Sequence, residues 1–339
     1  MDHQKQVTPE RIMQMAWGYA PPLILEAAIR NKVFDTLDAG PKTIDEVAAA
    51  TKASPRGLRA IMNALVGFEF LKTNGEGKYE LTPESSTFLV TTKPTFFGGM
   101  IAHTSGQLIP NWLHLTEVVA NGKPTAAVNS EGDGSAFFQE LVPNIFVMSY
   151  GAAQALAAHL NYGESGPPVR VLDLGAGSGV WGIAVAQSSP RVTVTAVDWP
   201  GVLPIALKTA ARFGLQNRYT CVPGDLLSAD FGRDQDLITI GHILHSEGVE
   251  RSKKLLRKCF DALAPGGTIA IQEFLVNPER TGPSMSLIFA VNMLVNTDEG
   301  DTWSFDEIAG WLKEAGFVNP RTIDAPGPSP LILATKGSE

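Results

Sequence analysis

Apolar and polar positions follow two regimes along the chain. Beyond residue 168, short continuous apolar runs (169–172, 192–197, 219–222, 236–240, 268–274) alternate with helical patterns at 180–187, 202–213 and 252–263. Continuous apolar runs read as strands buried on both faces, and their alternation with helices predicts a parallel sheet covered on both sides. Two more helices are expected near 286–295 and 304–315. Strands at 318–324 and 331–335 should close the sheet as a hairpin around Gly327-Pro-Ser-Pro330. The N-terminal third differs. Helical spacing over 12–29 is interrupted at Pro21-Pro22, which starts a fresh helix more readily than it continues one. Thr43 and Glu46 form a capping box, Ser54-Pro55 opens a further helix, and 70–82 reads as a hairpin around Asn74-Gly-Glu-Gly77. Helix, helix, hairpin is the winged-helix arrangement. Residues 96–160 are apolar and mostly helical, with breaks expected at Pro110, 121–124 and 131–134. The Gly/Pro/Ser-rich stretch 161–168 looks like a boundary. The expected organisation is a winged-helix-like dimerisation domain (1–95), a helical linker or substrate lid (96–161) and a nucleotide-type α/β domain (162–339).

The chemistry concentrates where the first α/β strand ends. Asp173 interrupts an apolar run, and Gly175, Gly177 and Gly179 follow before a helix begins. A glycine turn of this kind lets backbone N–H groups and a helix N-terminus approach a ligand. The glycines allow two registers: G-x-G-x-G from Gly175, or the dinucleotide pattern G-x-G-x-x-G from Gly177 through Gly182. In the second register the strand would end too early and Gly182 would lie inside the helix. Asp198 ends the second strand, where an acid accepts hydrogen bonds from ribose hydroxyls. Gly224-Asp225 ends the third, where a carboxylate can accept an adenine amino group. His245 lies just past the fourth strand and Glu273 at the end of the fifth.

Composition narrows the alternatives. The chain has 339 residues and a net charge of −8, which disfavours nucleic acid and anionic membrane surfaces as partners. Residues 1–90 carry ten Lys/Arg against eleven Asp/Glu, so the winged helix lacks a basic DNA-reading face. Its apolar 13–29 stretch predicts self-association instead. Two cysteines, Cys221 and Cys259, make neither a disulfide framework nor a zinc site and fit a reducing cytoplasm. No apolar run reads as a membrane span. His242 and His245, three apart on a loop with no second ligand cluster, do not read as a metal site.

Leu172-Asp-Leu-Gly-Ala-Gly-Ser-Gly179, Asp198, Gly224-Asp225, Ile243-Leu-His245, Pro265-Gly-Gly267 and Glu273, with the closing hairpin, resemble the class I small-molecule O-methyltransferases of the plant caffeic acid and bacterial polyketide type. The resemblance spans nearly the whole chain. It implies a Rossmann-like methyltransferase sheet, S-adenosyl-L-methionine as cofactor and a homodimer. It also implies cofactor contacts from Asp173, Gly175, Gly177, Gly179, Asp198, Trp199, Gly224, Asp225 and Leu226. His245 matches the family's general base and Glu273 the acid that orients it. The implied reaction is O-methylation of a small aromatic metabolite; N- or C-methylation, or another reaction on this scaffold, is the alternative, and a ligand-sensing DNA-binding regulator is a further one. Phe137, Phe146, Met148, Tyr150 and Met293 are the candidate substrate contacts. The chain departs from the family at Ser246 and Glu247, where Asp and Trp are usual. It departs again at Thr302, which stands where a second acid belongs; Glu299 and Asp301 are the possible replacements.

Overall fold

The computed structural model describes residues 7–327 and 329–338. They separate into two compact units, one ending at Pro110 and the other beginning at Asn111, so the expected 96–161 segment is divided between them.

The first unit opens with α1 (Glu10–Ala16), α2 (Ala20–Arg30) and α3 (Val33–Asp38), and Pro21-Pro22 lies in the first turn of α2. In α4 (Ile44–Thr51) the capping box forms as expected, with the Glu46 amide donating to Thr43 Oγ1 and the Thr43 amide to the Glu46 carboxylate. Ser54 occupies the N-cap of α5 (Pro55–Gly67) in extended conformation, but its side chain makes no cap bond; Pro55 presets the first turn instead. The antiparallel strands β1 (Leu71–Thr73) and β2 (Tyr79–Leu81) complete the helix–helix–hairpin order. Leu25, Phe34, Leu58, Met62 and Leu65 form the unit's core. Ile12, Met13, Met15, Trp17 and Tyr19 of the α1–α2 stretch stay exposed. Helices α6 (Pro83–Phe88) and α7 (Gly98–His103) follow, then a π-turn and α8 (Ile109–Trp112).

The second unit begins with α9 (Leu115–Asn121) and α10 (Glu131–Leu160). Helix α10 corrects one sequence expectation: residues 131–134 start the helix rather than break it. Pro143 is accommodated inside it. Its stretch 134–160 is long and apolar enough to cross a bilayer, which the sequence pattern concealed behind Gly134, Pro143 and Gly151. Its last turns are core, however: Ala152, Ala153 and Leu156 are fully buried against the α/β layer.

The seven-stranded sheet comprises β3 (Val169–Leu174), β4 (Val192–Asp198), β5 (Tyr219–Pro223), β6 (Gln235–Gly241), β7 (Leu263–Gln272), β8 (Val318–Ile323) and β9 (Leu331–Thr335), in the order β5-β4-β3-β6-β7-β9-β8. The first five are parallel. β9 runs antiparallel between β7 and β8, which is the closing hairpin. Pro265-Gly-Gly267 falls in the irregular start of β7, where Gly266 has φ +78°. Helices α11 (Val180–Ser188) and α12 (Leu203–Arg212) pack with α10 in one core cluster; α13 (Leu244–Ala262) and α15 (Phe305–Glu314) pack in the other, with α14 (Ser284–Asn296) between α13 and α15 in sequence. The strand order reverses at β3 and β6. A crevice opens there beyond the carboxyl ends of the strands, where such sheets bind ligands.

Candidate active site

The glycine turn after β3 is shaped by backbone need. Gly175, Gly177 and Gly179 all have positive φ, and a Cβ on Gly175 would stand 2.3 Å from Ile243 Cδ1 on the facing wall. Asp173 does not reach the crevice. It is fully buried under the turn, where its carboxylate accepts the Gly182 amide at 3.0 Å and the Thr239 hydroxyl at 2.8 Å. Burial pushes its carboxyl up to about 7 against those two bonds. Asp173 therefore braces β3, β6 and α11. That also explains Gly182, whose added Cβ would meet Val194 at 2.5 Å and the Asp173 carboxylate at 3.0 Å. Gly179 serves as the N-cap of α11, away from the cavity lining.

Asp198, the last residue of β4, faces the crevice. Its two oxygens accept the Gly177 amide at 2.8 Å and the Trp199 amide at 2.7 Å. Burial raises it to about 6 despite those donors. The adjoining cavity of about 140 Å³ is lined by Gly175, Gly177, Asp198, Trp199, Gly224, Asp225 and Leu226 on the strand side, and by Phe138, Val142, Ile145, Met148 and Ser149 of α10. Asp225 is held from below: one oxygen accepts the Leu227 amide at 2.9 Å and the other receives Arg251 at 2.7 Å. Arg251 also donates to Glu247 at 2.7 Å. Glu247 lines the same cavity; burial raises its carboxyl, and Arg251 opposes that shift.

His245 and Glu273 meet. His245 Nδ1 lies 2.7 Å from one Glu273 oxygen, and the His245 backbone amide donates to the other at 3.3 Å. Both residues are buried. Burial alone would raise the Glu273 carboxyl, but its charge interaction and hydrogen bond with His245, joined by His242, outweigh that and hold it below its usual value. A carboxylate on Nδ1–H leaves Nε2 as the free acceptor. His245 sits in a helical turn at the start of α13, not in a loop, and Gly248 (φ 69°) separates that turn from the rest of the helix. The Asp301 amide donates to the His245 carbonyl at 2.9 Å, and Trp303 Nε1 to that of Leu244 at 3.1 Å.

None of the three candidates for a second acid reaches this imidazole in the hydrogen bonds formed. Thr302 is fully buried and donates to the Ser286 carbonyl at 3.3 Å; Asp301 pairs with Arg280 at 3.3 Å; Glu299 packs beside Gly248. Among the candidate substrate contacts, only Met148 lines the cavity. Phe146 and Tyr150 stack on Phe213, and Tyr150 bonds Gln187 at 2.9 Å, so both serve the seam of α10 with α11 and α12. Phe137 packs edge-on against Phe138, and Met293 is buried in α14. An aromatic run on a helix has no sequence mark for which of its faces is core. Sequence reasoning missed the rings that do surround His245: Phe289 at 4.9 Å and Phe274, itself 4.7 Å from His242. Phe289 carries no signal beyond a helical apolar position, whereas Phe274 follows Glu273 and could have been found from it.

Two cavity-lining acceptors, His242 Nδ1 and Asn129 Oδ1, are buried and have no partner among the described residues. A crevice with a pinned carboxylate on β4, glycine backbone at its floor and the unpaired Asn129 oxygen fits a ligand rich in donors, as the ribose and ammonium of S-adenosylmethionine are. Comparison with known proteins agrees. The O-methyltransferase domain model matches residues 165–318, and the O-methyltransferase dimerisation domain model matches residues 13–91. The chain belongs to the S-adenosylmethionine-dependent O-methyltransferase family. This methyltransferase is 29% identical to 3-hydroxy-5-methyl-1-naphthoate 3-O-methyltransferase of Streptomyces sahachiroi, over 97% of this chain and 95% of that one. It is 26% identical to the tetracenomycin polyketide synthesis 8-O-methyl transferase of Streptomyces glaucescens, over 97% of both. The crystal structure of human N-acetylserotonin methyltransferase in complex with S-adenosylmethionine superposes with a TM-score of 0.83, 26% identity and coverage of 99% of this methyltransferase and 100% of that chain.

Proposed function

We propose that this enzyme methylates a phenolic hydroxyl of a small aromatic metabolite, with His245 as general base. The observation that carries the proposal is the buried His245–Glu273 pair at 2.7 Å beside the crevice. S-adenosylmethionine supplies an electrophilic methyl on a sulfonium and leaves as neutral S-adenosylhomocysteine. Asp198 accepts from the ribose hydroxyls and the glycine turn gives the cofactor its floor, with Gly224, Asp225, Leu226 and Trp199 forming the rest of its bed. The chain's larger contribution is alignment, since displacement at carbon needs donor and acceptor in line. A phenol with a pKa near 10 is mostly protonated at neutral pH, so His245 Nε2 takes its proton as the new O–C bond forms. Glu273 holds the tautomer and balances the imidazolium. Phe274 and Phe289 offer the flat apolar wall an arene needs.

The reading assigns no metal. His242, His245 and Glu273 bring one ligand atom each within 4.8 Å of one another, but both Glu273 oxygens are engaged by His245, through Nδ1 and its backbone amide, which leaves only two imidazole nitrogens as ligands. The exposed apolar α1–α2 stretch and the dimerisation-domain match support a homodimer joined through residues 1–95, with 96–161 contributing a lid and 162–339 the cofactor domain. Net charge of −8 supports neither nucleic acid nor membrane as partner, and the free thiols of Cys221 and Cys259 suit the cytoplasm.

The test is transfer of labelled methyl to a panel of phenols, with product analysis. O-methyl ethers are expected, and His245→Ala should cost about 10²–10⁴ in rate. Exclusive N- or C-methyl products, or a wild-type rate in His245→Ala, would overturn the proposal.

A further inference from the structure

His242 is a cavity-lining titratable residue that the mechanism above leaves unused. It stands at φ 59°, in the left-handed region, immediately after β6, and its backbone amide donates to the Gln272 carbonyl at 2.8 Å. Its ring lies 3.1 Å, at Nε2, from Gln272 Oε1. The orientation of that amide is not arbitrary. Gln272 Nε2 donates to the Ser329 carbonyl at 3.2 Å, and a flipped amide would set two carbonyl oxygens against each other. Gln272 therefore presents oxygen to His242, so the proton sits on Nε2 and Nδ1 is a bare lone pair. That Nδ1 is buried and has no partner among the described residues. Burial, opposed by Glu273 and Gln272 and aided by His245, lowers the imidazole to about 4, so it stays neutral at physiological pH. Its ring centroid is 6.2 Å from that of His245, and Phe274 touches both rings.

Resting on the methyl-transfer reading, we propose that His242 Nδ1 is a specificity subsite that accepts a hydrogen bond from a second O–H or N–H on the aromatic acceptor, while His245 takes the proton of the hydroxyl being methylated. The substrate class is then an arene bearing two donors on one ring or on fused rings. A buried acceptor left unpaired penalises any acceptor without the second donor. Gln272 is the positioning residue that fixes the tautomer through Ser329. The other source of a donor is the cofactor's own ammonium group, and the test separates the two.

The kinetic arm compares catechol with phenol, and 2,3-dihydroxynaphthalene with 2-naphthol. Wild type should prefer the two-donor member by about 10- to 100-fold in kcat/KM, and His242→Phe should bring the ratio to about one. A ratio near one in wild type, or one that survives in His242→Phe, overturns the proposal. The second arm needs no turnover and uses the intact wild-type protein. Side-chain ¹⁵N spectra should show His242 neutral with its proton on Nε2, and the Nδ1 resonance should move when 2,3-dihydroxynaphthalene is added to the S-adenosylhomocysteine complex. Gln272→Leu should erase the single-tautomer signature. An Nδ1 resonance that moves with S-adenosylhomocysteine alone, and no further with the arene, assigns the nitrogen to the cofactor and overturns the subsite. If wild type methylates no arene, the methyl-transfer reading fails, and the spectra still decide whether His242 reads a donor.

Discussion

Replacing Glu273 by Gln changes one oxygen to NH₂ and little else, so its effect can be worked from two hydrogen bonds. In the wild type one carboxylate oxygen faces His245 Nδ1 at 2.7 Å and the other accepts the His245 backbone amide at 3.3 Å. Both are acceptor roles, and Gln offers a single acceptor. If its oxygen stays on the backbone amide, the NH₂ faces Nδ1 and forces the proton onto Nε2, the atom that must be bare to act as base. If the oxygen turns to the ring, the backbone N–H confronts an NH₂, which costs about 1–3 kcal/mol, and the imidazolium loses its counter-charge. Either way most of the general-base contribution disappears, about 10²–10⁴ in kcat, or roughly 3–5 kcal/mol of transition-state stabilisation. Affinity for S-adenosylhomocysteine, measured by calorimetry, should change far less, because Glu273 does not line the cavity. The double variant Glu273→Gln/His245→Ala should be no slower than His245→Ala, since the two residues act as a unit. A Glu273→Gln enzyme within threefold of wild type, with the same pH–rate profile, would refute the reasoning.

Other outcomes follow from the same geometry. With Asp198 raised to about 6 in the free protein and its ionised form accepting the ribose hydroxyls, cofactor binding should favour the deprotonated state; calorimetry should find affinity falling by up to about tenfold per unit as pH drops below about 6, and Asp198→Asn should be weaker and flat over that range. Gly175→Ala places a Cβ 2.3 Å from Ile243 at φ 58°; left-handed strain alone is about 1–2 kcal/mol, and Ile243 must swing into the crevice, so both melting temperature and cofactor affinity should drop. Met13→Asp combined with Trp17→Asp should yield monomers in light scattering, because both side chains lie exposed on the α1–α2 surface; an unchanged dimer would place the interface elsewhere.

The sheet was legible because each buried parallel strand is a continuous apolar run punctuated by a glycine or an acid at its carboxyl end. Asp198 and Gly224-Asp225 stand at such ends and line the crevice, while Glu273, just after β7, holds His245, in the first turn after β6, beside it. What escaped the sequence was placement within an element. Asp173 lies one residue before the end of β3 and pairs with Ala196, two residues before Asp198, so it shares that face but sits deeper, under the glycine turn in the Gly182 and Thr239 bonds. Helix α10 escaped for a related reason. Its apolar residues serve two surfaces at once, so the run carries no clear polar face, and Phe146 and Tyr150 are indistinguishable in sequence from the cavity-lining Phe138 and Met148. Ser246 and Glu247 read as departures, and Glu247 proved to be part of a linked Asp225–Arg251–Glu247 set that only a fold could join across 22 residues of chain.

That division of labour along α10 has an evolutionary corollary. Phe138, Val142, Ile145 and Met148 form the crevice wall, whereas Ala152, Ala153 and Leu156, one to five turns further on, are fully buried anchor. Selection for a new acceptor can therefore act on the wall while the anchor keeps folding free energy nearly constant, and mutations in the two segments that lie more than about 10 Å apart should combine additively. A scaffold whose recognition and stability mutations fall on different stretches of one helix can drift far in specificity before it must be rebuilt.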